Sequence, residues 1–193
     1  MKLRLARVDD AMAIRDVERS AAAAFAATVH AHLARPDERA LVPAARLITA
    51  AAQGNLLVAE SEDALVGFAL LGALDADAHL LELDVLPAHA SRGLGSALLD
   101  ACCARASAAG ADRIVLTTFN DVPFNAPFYA RRGFQTLAPA DLTPSLRAML
   151  AIEIAAGFAA GSRCAMARTL GETHGSGQGS CGGGSRGSKN VSS

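Results

Sequence analysis

Between residues 81 and 110 the chain reads as a strand, a glycine turn and a helix. Leu81-Glu82-Leu83-Asp84-Val85 is an extended run, Arg92-Gly93-Leu94-Gly95-Ser96 brings two glycines into one turn, and an Ala- and Leu-rich stretch then runs to Gly110. Glycine permits backbone geometry and close approach that a Cβ forbids. The first turn of a helix leaves N–H groups unpaired at its positive end. A strand feeding such a turn ends at a seat for phosphate or pyrophosphate, with Arg92 and Ser96 able to add side-chain donors. The seat is neither a P-loop, which needs a lysine after its last glycine, nor a dinucleotide fingerprint, because Leu98 stands at the third glycine position. A turn that only packs strand against helix is the plain alternative.

The flanking sequence alternates strand and helix signals. Residues 3–7 alternate apolar and basic side chains and predict a first strand. Asp9 is placed to cap a helix whose apolar stripe is Ile14, Val17, Ala21 and Phe25. A second helix is predicted over 43–52. Strands over 56–60 and 65–71 flank a Ser61-Glu62-Asp63 turn as a hairpin. Then come a strand over 78–86, a helix over 93–109, a strand over 114–118, a helix over 123–132 closed by Gly133, a strand over 134–137, a helix over 145–156 and a strand over 163–169. A hairpin followed by strand–helix–strand units implies an α/β fold, a mixed sheet covered by helices. Residues 1–170 form one domain in this reading. Residues 171–193, with 8 of the 17 glycines, form a disordered Gly/Ser-rich tail.

Charge excludes some partners. With 18 Lys+Arg against 19 Asp+Glu the net charge is −1, and no basic face is visible. Neither nucleic acid nor an anionic membrane is expected as the main partner. The N-terminus lacks the apolar core of a signal peptide, and no uncharged apolar run approaches the ~20 residues of a membrane span. A cytoplasmic location is therefore expected. Cys102, Cys103, Cys164 and Cys181 form no C-x-x-C pair and have no histidine at ligand spacing, so buried thiols are expected and no metal. Aromatic residues make up only 4% of the chain, yet Phe119, Phe124, Phe128, Tyr129 and Phe134 lie within one short segment.

The segment from Leu81 to Asp100 resembles motif A of the GNAT superfamily of acetyl-CoA-dependent N-acyltransferases, [Q/R]-x-x-G-x-[G/A], through Arg92-Gly93-Leu94-Gly95. Ala90 replaces its first Gln or Arg. Downstream, Tyr129-Ala130-Arg131-Arg132-Gly133-Phe134 is similar to the superfamily's Y-x-x-x-G-F element. The resemblance covers about residues 3–170 and implies a mostly antiparallel mixed sheet with acetyl-CoA as co-substrate.

It also implies roles. The pyrophosphate of CoA would lie on the amides of Ser91, Arg92, Gly93, Leu94, Gly95 and Ser96. The pantetheine arm would pair with main-chain groups of Leu83, Asp84 and Val85 as an added strand. Tyr129 matches the tyrosine that protonates the departing thiolate, the alternative being a core ring. His79 matches a general-base position of several members, against a structural strand-end histidine, and Glu82 is the second candidate. Simple alternation sets Glu82 and Asp84 opposite His79, Leu81 and Leu83, unless a bulge intervenes. Asn125, one helical turn before Tyr129, would contact the CoA arm or cap the helix. His30, His32, His89 and His174 are expected at the surface. The implied activity is direct transfer of an acetyl group to a primary amine, a small molecule or a peptide N-terminus, with the first two helices, the His79 strand and the 145–156 region building the acceptor pocket. The alternative is a non-catalytic acyl-CoA-binding regulatory domain. A homodimer is left open.

Overall fold

The computed structural model describes residues 2–171. All but the first residue of the expected tail lies outside them. Seven strands form one sheet: β1 (Lys2–Leu5), β2 (Leu56–Ser61), β3 (Ala64–Leu74), β4 (Asp77–Val85), β5 (Arg113–Phe119), β6 (Gln135–Thr136) and β7 (Arg163–Thr169). Their order is β1-β2-β3-β4-β5-β7-β6. Every pairing is antiparallel except β4 with β5. The helices are α1 (Ala11–Ala21), α2 (Ala44–Ala52), α3 (Leu94–Ala108), α4 (Ala126–Ala130) and α5 (Pro144–Ala155). The mixed, mostly antiparallel sheet flanked by helices is the expected architecture. Among the described residues no helix is long and apolar enough to cross a membrane.

Helices cover both faces of the sheet. On one, Ile14 and Val17 of α1 and Leu47 of α2 pack on Leu56, Val58, Phe68 and Leu70. On the other, Leu98, Leu99 and Cys102 of α3 pack on Leu80, Ile114 and Leu116, and Tyr129 of α4 joins them. Val115, whose side chain points away from α3, packs with Leu146 of α5.

Three expected elements change shape. The first helix does not run on to Phe25; it ends at Ala21 and continues as a 3-10 turn, Ala22–Ala27. Its start is organised by Asp10 and not Asp9, because Asp10 accepts from the Arg7 amide at 2.6 Å and from Arg4 at 2.7 Å. The expected helix over 123–132 shrinks to Ala126–Ala130, since two prolines in its first half withhold N–H donors and Pro127 is accommodated only in the first turn. The hairpin turn is tighter than expected: Ser61 still pairs with Ala64, and Glu62 and Asp63 alone make the turn, both at positive φ.

Two irregularities in β4 shape the functional site. Its register against β3 passes from Leu70↔Glu82 to Leu71↔Leu80, leaving Leu81 as an extra residue, a β-bulge. Against β5 it pairs only at Ala78↔Ile114 and His79↔Val115. Beyond His79 the two parallel strands separate.

Candidate active site

The gap between β4 and β5 opens into a cavity of about 680 Å³. Its walls come from the end of β4, the glycine turn, α4 with the loop before it, and the 3-10 turn after α1. The β4 edge here is unpaired toward β5, while β3 holds the other edge as far as Gly67↔Val85. Main-chain groups of Leu83, Asp84 and Val85 are thus free to receive an extended polar chain.

The glycine turn folds back through the left-handed region, with φ of 60° at Ser91 and 80° at Gly93. Gly93 is required by that angle, since a Cβ there would meet nothing within 4 Å. At Gly95 a Cβ would stand 3.5 Å from Phe128 and 3.8 Å from Val85, two residues of the cavity wall. The first helical hydrogen bond runs from the Ala97 amide to the Gly93 carbonyl at 3.0 Å, so the amides before it are left for a ligand. Arg131 and Arg132 line the same end of the cavity. The Arg132 guanidinium donates to the Ser96 hydroxyl and stacks 4.0 Å over the Phe128 ring, placing positive charge beside the helix start. Free amides, a helix N-terminus and two guanidiniums fit a pyrophosphate-bearing ligand.

Acidic side chains occupy the opposite face. Glu82 and Asp84 pair across β3 with Leu70 and Phe68, both in the α1/α2 core, so their carboxylates point to that face. Alternation without the bulge would have grouped Leu83 with Leu81 and His79. In the structure Leu81 packs with the α1/α2 core and Leu83 with the α3 core. The extra residue brings His79, Leu81, Glu82 and Asp84 to one face. Glu18 of α1 lies among them, buried, its carboxylate accepting from the Val42 amide at 2.9 and 3.1 Å.

Crowding of acids shifts their protonation. Burial and repulsion from Glu18 push Glu82 up to about 7, against a smaller opposing pull from Arg163. Burial, with repulsion from Glu82 and Glu18, raises Asp84 well above the carboxylate range. Tyr129 reaches the cavity from the α3 side and is 9% exposed. Burial first, then Glu82 and Asp84, raise its pKa and keep its hydroxyl protonated. Tyr129 from one face and Asp84 from the other thus line the same cavity, with Glu82 next to Asp84 but outside its wall.

The other sequence candidates lie differently. His79 sits at the last β4–β5 pair, buried and outside the cavity wall, and burial, reinforced by Arg46, lowers its pKa. Arg92 is exposed and does not line the cavity. Asn125 precedes α4, where its carbonyl accepts from the Phe128 and Tyr129 amides at 2.8 and 3.1 Å. Its side-chain amide donates to the Thr118 hydroxyl at 2.9 Å, and its Oδ1 is buried without a partner among the described residues.

Several participants escaped the sequence reading. Phe25 walls the cavity against Phe124 of the aromatic segment, their rings 5.2 Å apart and edge to face. Glu18 could have been suspected, because a charged residue four positions after Ile14 falls on the apolar stripe of α1. His30, expected at the surface, is buried: it lies 4.1 Å from the Phe119 ring, and its Nε2 is 3.0 Å from Asp121. No local signal marks that pair, whose members are 91 residues apart.

The fold is shared with solved structures. The paiA N-acetyltransferase of Thermoplasma acidophilum, solved with coenzyme A, superposes with a TM-score of 0.63 at 16% identity, covering 87% of this chain and 98% of that one. N-acetylglutamate synthase of Neisseria gonorrhoeae, solved with coenzyme A and N-acetyl-glutamate, gives 0.63 at 20% identity, covering 89% of this chain but 35% of the synthase. The present chain therefore corresponds to about a third of that protein's length. The family model described as acetyltransferase (GNAT) family matches residues 21–134, a span that holds the glycine turn, the acidic strand, Tyr129 and Phe134. The chain belongs to the GNAT acetyltransferase family.

Proposed function

We propose that the protein transfers the acetyl group of acetyl-CoA to a primary amine by direct attack, with both substrates bound at once. One observation carries this reading: a single cavity joins the glycine turn on one face to the Asp84 carboxylate on the other, with Tyr129 in its wall. Acetyl-CoA supplies an activated acyl carbon and a thiolate leaving group. Its pyrophosphate suits the amides from Ser91 to Ser96 and the guanidiniums of Arg131 and Arg132. Its amide-bearing arm suits the unpaired edge of Leu83, Asp84 and Val85.

The amine arrives protonated and must lose a proton before it can attack. Glu82 stands beside Asp84 just behind the cavity wall, and its carboxyl, pushed up to about 7, is matched to taking that proton through an intervening water. The C–N bond forms and the C–S bond breaks. The Tyr129 hydroxyl donates to the departing sulfur, and the second amine proton, released through water as the amide forms, restores it. The products are the N-acetyl amine, CoA thiol and one proton. No acyl-enzyme step is needed: Cys102 is fully buried, and burial pushes its thiol up to about 12, far from a working nucleophile.

Thiol release on a panel of amines tests the reading. Tyr129→Phe should lower kcat about 100-fold while leaving the KM for acetyl-CoA unchanged. Undiminished kcat overturns the donor role. Binding of acetyl-CoA without thiol release from any amine would identify a non-catalytic acyl-CoA-binding domain instead.

A further inference from the structure

The acceptor end of the cavity has a chemical character of its own. Its outer wall is aromatic: Phe25 packs edge to face with Phe124 at 5.2 Å and with Phe119 at 5.7 Å. Phe25 and Phe124 line the cavity, and the Phe124 ring remains 42% exposed, an apolar surface that nothing among the described residues covers. The inner wall carries Asp84, with Glu82 and Glu18 close behind on the same face. Among the described residues neither Glu82 nor Asp84 takes part in a salt bridge.

Most of the neighbouring cations are already engaged. Arg163 donates to both Glu153 oxygens at 3.1 and 2.8 Å and lies 4.5 Å over the Phe119 ring. Arg15 and Arg19 both bind Glu38. Arg131 and Arg132 belong to the glycine-turn end. A carboxylate carried by the acceptor would therefore meet three acids, while the neighbouring guanidiniums without a salt bridge among the described residues stand elsewhere, Arg131 and Arg132 at the glycine-turn end and Arg46 beside His79, outside the cavity wall. An ammonium group meets the partner it needs, because its charge lets the raised Asp84 carboxyl ionise beside it, whereas a carboxylate would hold it neutral; an apolar body beyond meets rings.

We propose that the acceptor is an apolar monoamine, an arylalkyl- or alkylamine without a carboxylate, and that Phe25 and Phe124 select its body while Asp84 receives its ammonium group. This rests on the acetyl-transfer reading above and specifies the second substrate. Specificity arises from both walls at once: rings reward the apolar body, and the acids reject the amino acid built on the same skeleton.

2-Phenylethylamine and phenylalanine form a matched pair, differing by one carboxylate on the carbon that bears the amine. With the full chain and saturating acetyl-CoA, kcat/KM from thiol release should favour 2-phenylethylamine by at least about 100-fold. Phe124→Ala should raise the KM for 2-phenylethylamine about tenfold and leave the KM for acetyl-CoA unmoved, and Phe124→Leu should restore part of the loss. The unmoved acetyl-CoA KM shows that the variants are folded. Equal or better turnover of phenylalanine overturns the inference and leaves acetyl transfer to amines standing. An unchanged amine KM in Phe124→Ala also overturns it. Absence of thiol release from both amines, and from a wider amine panel, with acetyl-CoA still bound overturns the acetyl-transfer reading and this inference with it.

Discussion

Glu82 shows how surroundings retune a single residue. An exposed glutamate is ionised well below neutrality and is a weak base there. In this protein burial and Glu18 push its carboxyl up to about 7. A raised carboxyl pKa means that the protonated form persists to near-neutral pH and the base appears only above it. The rate kcat/KM should therefore rise through about pH 7, and Glu82→Gln should remove that limb and lower kcat/KM about 100-fold, as a pH–rate profile would show. A limb that survives in the variant assigns the base to another group. Tyr129 behaves oppositely: burial, with the same carboxylates, holds its proton in place, so its donor form is present across the whole profile.

At the scale of elements, the site depends on how segments end. The helix α3 begins where Gly93 adopts φ of 80°, a conformation that an L side chain pays for. Gly93→Ala, which meets no steric neighbour, should cost about 1 kcal/mol and lower Tm by about 2–4 °C, while Gly93→Asn should cost less. Equal Tm values for Ala and Gly would argue against conformational strain at the turn. On the acceptor side, the 3-10 turn carrying Phe25 is followed by His30, whose Nε2 contact with Asp121 at 3.0 Å ties this segment to the loop before α4. Asp121→Asn weakens that tie between two segments of the cavity wall. The acceptor KM is expected to rise several-fold with the KM for acetyl-CoA constant; steady-state kinetics with each substrate varied in turn would separate the two.

For the whole molecule, stability has a clear acid weakness. Arg4 of β1 holds Asp10 at 2.7 Å and Glu60 of β2 at 2.7 Å, joining the first strand, the start of α1 and the neighbouring strand. The Arg4 hydrogen bonds, with help from the Arg7 amide, lower the pKa of the buried Asp10. A depressed carboxyl pKa stabilises the fold above the ordinary value near 3.9, and that contribution is lost as pH falls through the lower folded value. Asp10→Asn should cost about 2–3 kcal/mol at neutral pH and flatten the loss of stability below about pH 4, as denaturant titrations at several pH values would reveal. Much of the architecture was legible beforehand because its signals are local. The glycines before α3, the Gly133 stop after Tyr129, the hairpin and the strand over 163–169 depend on neighbours only a few residues away. Prolines shortened α4 by an equally local rule that the aromatic run concealed. The acidic face was not legible, because a bulge is fixed by pairing with β3 and reverses the side on which every later residue of β4 points. Residues 18, 25, 84 and 129 share a site only because β4 and β5 separate and let both faces of the sheet into one cavity. The sequence by itself thus determined the glycine turn, the placement of the tyrosine before Gly133 and the succession of strands along the chain, each written in short-range backbone preference. Only the tertiary structure decided which face of β4 the carboxylates take and which rings wall the cavity, since both follow from contacts between segments distant in the chain.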